Sequence, residues 1–231
     1  MGWIRQMTNW FYNDVVLEIR DIKAMQQIAP LYDGYLPWSG ASLRPTTIAY
    51  LLNDITIHRR SSIVECGSGL STLFIATQLE RLGRRADFVS IDHDASWHEI
   101  IREELERRGV AHRVQLVHAP LKESPYAWKK EGTWYDTTIL ESETPAEGID
   151  LLFVDGPPAN RPGLSHARYP AVPFFQSRLA PESKVVLDDG KRRGETDIAT
   201  KWSQQLERPF NLDRLSGNIY VSEGNDSDYN I

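Results

Sequence analysis

Residues 63–69 read Ile-Val-Glu-Cys-Gly-Ser-Gly, and Leu70 to Ala76 follow at once with helical apolar spacing. Two β-branched residues suit the end of a buried strand, and glycines serve where the chain turns sharply or backbone must approach a ligand. A strand that passes through a glycine turn into a helix N-terminus is the unit of a doubly wound α/β sheet. It forms a site for a ligand with a nucleoside-like part.

The dinucleotide fingerprint G-x-G-x-x-G is incomplete here, because Thr72 stands at its third position. Glu65, just before the glycines, would repel a pyrophosphate and attract a positive amino or sulfonium group. Phe88-Val89-Ser90-Ile91-Asp92 reads as the next strand and ends in an acid 23 residues beyond Gly69. An acid at about that distance can accept hydrogen bonds from both ribose hydroxyls. His93 either lines the adenine edge or is simply a turn residue.

From Ser62 the pattern alternates strands (62–66, 87–91, 113–118, 150–155, 183–188) with helices (about 71–82, 95–108, 166–179, 195–206). This order predicts a parallel sheet covered on both faces, closed by a hairpin of 209–215 and 218–222 around Ser216-Gly217. Upstream, residues 3–29 read as one or two helices ended by Pro30, 31–45 as loop, and 46–57 as a helix. The expected organisation is an N-terminal helical cap with a cofactor-covering loop (1–60), a ligand-binding domain (61–223) and a disordered polar tail (224–231). The N-terminal helices serve either as a cap or as a homodimer contact. Residues 122–149 break the alternation as an insertion, in which Trp134-Tyr135-Asp136 and Thr137–Leu140 suggest a short hairpin. Its aromatics, Tyr126, Trp128, Trp134 and Tyr135, either stack on a flat ligand such as a sugar ring or pack on the sheet edge.

The net charge of −6 and the lack of a basic run argue against nucleic acid as the main substrate. No stretch approaches the roughly 20 apolar residues of a membrane span, and the N-terminus lacks a signal-peptide core, so a cytoplasmic protein is expected. The lone cysteine, Cys66, excludes an intrachain disulfide and reads as a small buried residue rather than a nucleophile.

Glu65-Cys66-Gly67-Ser68-Gly69 resembles the E/D-x-G-x-G first motif of class I S-adenosylmethionine-dependent methyltransferases. The resemblance spans about residues 36–222 and implies a Rossmann-like sheet of about seven strands, mostly parallel with an antiparallel last strand. It also implies S-adenosylmethionine as cofactor. Gly67 and Gly69 would approach it, with Ser71 and Thr72 in the same turn. Glu65 would lie near its methionine part and Asp92 at its ribose, with His93, Ala119 and Pro120 by the adenine. Trp38, Ser39 and Ser42 would belong to a covering loop.

Asp155, Asp188 and Asp189 end two strands and should converge beside that ligand, since neighbouring strands lie about 5 Å apart. Three carboxylates so close either share a hard cation such as Mg²⁺ or leave one of them as a general base. Some class I O-methyltransferases hold a divalent ion on an Asp after the fourth strand and an Asp-Asp or Asp-Asn pair after the fifth. Val154-Asp155-Gly156 and Leu187-Asp188-Asp189 resemble that arrangement. The proline-rich linker Gly156–Gly163 departs from the catechol-type enzymes. It resembles instead a bacterial group linked to surface polysaccharides, and the glucuronoxylan methyltransferases of plants. A small-molecule or carbohydrate hydroxyl is thus the expected acceptor. Arg161, Arg168, Lys191, Arg192 and Arg193 flank the mouth and either hold an acidic acceptor or pair with Glu195 and its neighbours. Two rival readings stand beside this one: a nicotinamide-dependent oxidoreductase, which Glu65 and Thr72 disfavour, and a non-catalytic interaction module on the same fold.

Overall fold

Helix α1 (Gly2–Ile28) runs into a 3-10 turn at Ala29–Leu31, where Pro30 has no N–H with which to continue it. The computed structural model describes residues 2–36, 38, 42–130 and 132–222, so Ser39 and the tail 224–231 lie outside the described residues. Helix α2 (Pro45–Ile57) begins on a proline, whose missing N–H costs nothing in a first turn. The alternating part follows as β1 (Ser62–Cys66), α3 (Leu70–Leu82), β2 (Asp87–Asp92), α4 (Ala95–Arg107) and β3 (Gln115–His118). Then come β4 (Leu121–Glu123), β5 (Thr133–Tyr135), α5 (Thr137–Glu143), β6 (Ile149–Val154), α6 (Ala171–Phe175), β7 (Leu179–Leu187), α7 (Arg193–Leu206), β8 (Phe210–Asp213) and β9 (Ile219–Ser222).

The main sheet has seven strands in the order β3-β2-β1-β6-β7-β9-β8. Strands β3, β2, β1, β6 and β7 are parallel, and β9, the last in sequence, runs antiparallel to both its neighbours. This is the predicted Rossmann-like sheet. Side chains alternate across it. Ile63, Leu151, Phe153 and Val186 join the core under α2 and α3, while Val64, Leu152, Val154, Val185 and Leu187 join the core that holds α6 and α7. Leu17, Ala24 and Ile28 of α1 are buried, and Ala24 and Ile28 belong to the first of these cores. The opposite side of α1 leaves Val15, Ile19, Ile22 and Met25 exposed.

Three expectations are corrected. Thr137–Leu140 forms no hairpin arm: Asp136 accepts the Thr138 N–H and caps α5, and β5 pairs with β4 instead. The helix expected over 166–179 shrinks to α6 and a 3-10 turn, because Pro170 sits at its N-cap and the backbone turns tightly before it. Residues 111–113 form a 3-10 turn, so β3 starts later than predicted.

Candidate active site at the carboxyl ends of the strands

The chain steps outward from β1 through β2 to β3, then returns to the other side of β1 for β6 and β7. A crevice for ligands opens at such a reversal, outside the strand carboxyl ends. Its floor is a contact between two turns. Gly67, at φ +102°, has room for no Cβ: one would lie 2.9 Å from the backbone nitrogen of Gly156. A Cβ on Gly156 would strike Gly67 and the Tyr135 hydroxyl. The N–H groups of Asp155 and Gly156 both donate to the Cys66 carbonyl, at 2.8 and 2.7 Å. Gly67 therefore serves this seam, whereas Gly69 faces open space with nothing within 4 Å of a built Cβ.

Glu65 points to the α3 side of the sheet and is fully buried. One carboxylate oxygen accepts the Ser71 hydroxyl; the other accepts those of Thr72 (2.5 Å) and Ser90 (2.6 Å). Thr72 Oγ1 in turn accepts the Gly69 N–H at 2.9 Å. Glu65, Ser71 and Thr72 thus brace the glycine turn from beneath. Burial pushes the Glu65 carboxyl up to about 7 against the pull of its three hydroxyl donors. Ser90, which also bonds Ser68 Oγ at 2.8 Å, was missed in the sequence; its signal is a hydroxyl inside an otherwise apolar strand. Cys66 is buried, and burial raises its thiol far from a reactive state.

Asp92 ends β2 and is buried beside the glycine turn. Its Oδ2 accepts the Ser68 N–H at 3.1 Å and its Oδ1 the Asp94 N–H at 2.8 Å. His93 Nδ1 lies 3.3 Å from Oδ1. A carboxylate offers about four acceptor positions, so two remain for a diol. The Ala119 N–H donates to the Asp92 carbonyl at 2.8 Å, and Pro120, next in the chain, is exposed. Trp97 of α4 donates its indole N–H to the Ser68 carbonyl at 2.7 Å, a second brace not anticipated from the sequence. Trp38 packs on Phe74 of α3, with ring centroids 6.3 Å apart.

Asp155, Asp188 and Asp189 converge as expected, each offering an oxygen within 4.8 Å of the others. Arg168 lies among them rather than out at the mouth, with only 4% of its surface exposed. Its Nη2 meets Asp155 Oδ1 at 3.0 Å and its Nη1 meets Asp189 Oδ2 at 2.9 Å. Nε and Nη1 also donate to the carbonyls of Pro157 (3.3 Å) and Asp188 (3.4 Å). Asp189, in the left-handed region at φ +62°, shares the same Oδ2 with Arg192 at 2.7 Å. A fourth acid, the buried Glu195, stands 3.8 Å from Arg168 and 3.7 Å from Arg192. As arranged, Arg168 occupies one carboxylate oxygen of Asp155 and one of Asp189. Burial pushes Asp155 up to about 6, with Arg168 pulling down and Asp189 pushing up. Burial and the two neighbouring aspartates raise Asp188 far above the usual carboxylate range. The Asp155 side chain stays 22% exposed. Of the other basic residues, Lys191 pairs with Asp14 at 2.5 Å, while Arg161 and Arg193 are exposed.

The insertion divides in two. Trp134 and Tyr135 are buried in the core that holds α6 rather than free to stack on a ligand, and Trp134 packs on Phe174 and Phe175. The Tyr135 hydroxyl has no hydrogen-bond partner, although it is buried beside the crevice floor. Trp128 and Tyr126 are half-exposed. Trp128 stacks on His166 with centroids 4.1 Å apart and meets Tyr169 edge-on at 4.9 Å, so the insertion touches the 157–170 connection above Arg168.

A family described as a methyltransferase domain matches residues 64–190, more than half of the chain. The chain belongs to that family, and with this sheet it is a class I S-adenosylmethionine-dependent methyltransferase. None of the curated proteins matches it in sequence. Among solved structures it resembles the SAH-bound methyltransferase PaMTH1 of Podospora anserina, with a TM-score of 0.59 and 16% identity over 90% of this chain and 88% of that one. A methyltransferase of Geobacter sulfurreducens aligns at 0.54 with 18% identity, covering 87% of each chain. An O-methyltransferase of Bacillus cereus in complex with SAH aligns at 0.53 with 16% identity, over 88% and 90%. At these identities the likeness is one of fold. No described helix is long and apolar enough to cross a membrane.

Proposed function

We propose that the protein methylates a hydroxyl oxygen of a small molecule or carbohydrate, with Asp155 as general base. When bound, S-adenosylmethionine supplies an electrophilic methyl group on a sulfonium sulfur. The open face at Gly69, the spare acceptor positions of Asp92 and the partnerless Tyr135 hydroxyl suit a polar ligand in the crevice. On this reading the Gly67–Gly69 turn, Asp92, His93, Ala119 and Pro120 line the cofactor, and Glu65, Ser71 and Thr72 hold the turn in shape.

The observation that carries the proposal is the seam between Gly67 and Gly156, which sets Asp155 one residue from the cofactor turn. A partly exposed carboxyl near 6 is mostly ionised at neutral pH and still basic enough to take a proton. Asp155 would take the acceptor O–H proton, and the bound cofactor would supply the methyl group to that oxygen. Alignment of the three reacting atoms supplies much of the acceleration. Tyr126, Trp128 and Tyr169 are half-exposed aromatics that suit contact with a flat or sugar-like acceptor. A divalent ion at the aspartates would first have to displace Arg168. The exposed stripe Val15, Ile19 and Ile22, opposite the buried side of α1, supports a homodimer through the N-terminal helices.

Calorimetry with S-adenosylhomocysteine tests the cofactor site; no heat at millimolar ligand would end the proposal. Asp155→Asn should keep that binding and lose about 10²–10⁴-fold in turnover on a hydroxyl acceptor. An unchanged turnover would remove Asp155 as the base.

A further inference from the structure

The three aspartates at the ends of β6 and β7 form the kind of cluster that ordinarily calls for a cation. Here the positive charge is already part of the chain. All three guanidinium nitrogens of Arg168 are engaged, two on carboxylates and two on backbone carbonyls, with Nη1 serving both kinds. The carbonyls belong to Pro157 and Asp188, so the same group ties the turn after β6 to the turn after β7. One Asp189 oxygen, Oδ2, already accepts from two guanidinium groups. A magnesium ion demands oxygens at about 2.0–2.1 Å in octahedral array, and a planar guanidinium cannot share that space. Arginine keeps its charge at every working pH, so it does not vacate the cluster by losing a proton.

We propose that Arg168 takes the place of a divalent metal: it is the resident counter-ion of Asp155, Asp188 and Asp189 and keeps this cluster closed to metal ions. Asp155 is then held in position by Arg168 through Nη2, with its exposed edge left to the acceptor. Methyl transfer without a metal rests on the proposed function above; closure of the cluster does not.

The test uses Mn²⁺ alone, titrated into the full chain and followed by the electron paramagnetic resonance of the free ion. Wild type and Arg168→Lys should show no site that Asp189→Asn removes. Arg168→Ala should gain one Mn²⁺ site, tighter than any in wild type by about tenfold or more, because a positive charge about 3 Å from two carboxylates is gone. Adding Asp189→Asn to it should abolish the gain. A Mn²⁺ site in wild type that Asp189→Asn abolishes would overturn the proposal, and this arm holds even if Arg168→Ala does not fold. An Arg168→Ala protein with native near-ultraviolet dichroism and no gain in Mn²⁺ would overturn it as well. Calorimetry with S-adenosylhomocysteine in the presence of a chelator reads the cofactor site separately. Absence of heat there would strike the methyltransfer reading and leave the metal result standing.

Discussion

Glu65 carries two loads at the residue scale: it orders the glycine turn, and it is a carboxyl held near 7 in the folded chain against an ordinary 4.5. The folded state therefore binds this proton more tightly than the unfolded state. Its contribution is fully present below about 4.5 and is lost as pH rises through about 7, by up to about 3 kcal/mol. Urea denaturation from pH 4.5 to 8 should show that decline in wild type and a flatter profile in Glu65→Gln; identical profiles would show that Glu65 does not titrate in this window. Gly67→Ala combines a positive φ with a Cβ 2.9 Å from backbone, and should cost about 2–4 kcal/mol by the same measurement. The motif Glu-Cys-Gly-Ser-Gly announced a turn. It did not announce that the first glycine faces another turn and only the second faces space, because the partner, Gly156, comes 89 residues later. Arg168 was legible as a basic residue near the mouth. That it is buried among the aspartates was not, since its side-chain direction depends on how the chain turns before Pro170.

Among elements, α7 shows how one side chain can secure a helix. Its Trp202 is fully buried against the β6–β7 side of the sheet and donates its indole N–H to the Tyr169 carbonyl at 2.9 Å. Trp202→Ala should destabilise the protein by about 3–5 kcal/mol and Trp202→Phe by much less, as read by thermal or chemical unfolding. The strands of the alternating part were readable because doubly covered strands such as β6 are near-continuous apolar runs. The insertion was not. Its two short strands pair across an intervening loop, and the helix after them depends on a single cap, Asp136, whose role is invisible without the backbone. The segment 166–179 misled in a similar way: the strand-helix alternation suggested a helix there, while Pro170 and Pro173 and the tight turns upstream leave only a short one.

At the scale of the whole molecule, the strand order reverses between β1 and β6, and the parallel strands β1, β2, β6 and β7 bring Gly69, Asp92, Asp155, Asp188 and Asp189 to the same end of the sheet. Helix α1 has apolar residues on opposite sides, one buried and one exposed, an arrangement suited to a helix covered twice. Sedimentation equilibrium should therefore give a dimer, and Ile19→Glu with Ile22→Glu should give a monomer that still binds S-adenosylhomocysteine. A monomeric wild type would refute the dimer. The seam of Gly67 and Gly156 has a consequence for variation among relatives. Each glycine shuts out a side chain on the other, so a methyl gained at one position cannot be offset by trimming its opposite, which has nothing left to trim. The two sites should change together or not at all. A relative bearing a side chain at either must have moved its first and sixth strands' exits apart, and would signal a differently spaced donor and acceptor before any assay was run.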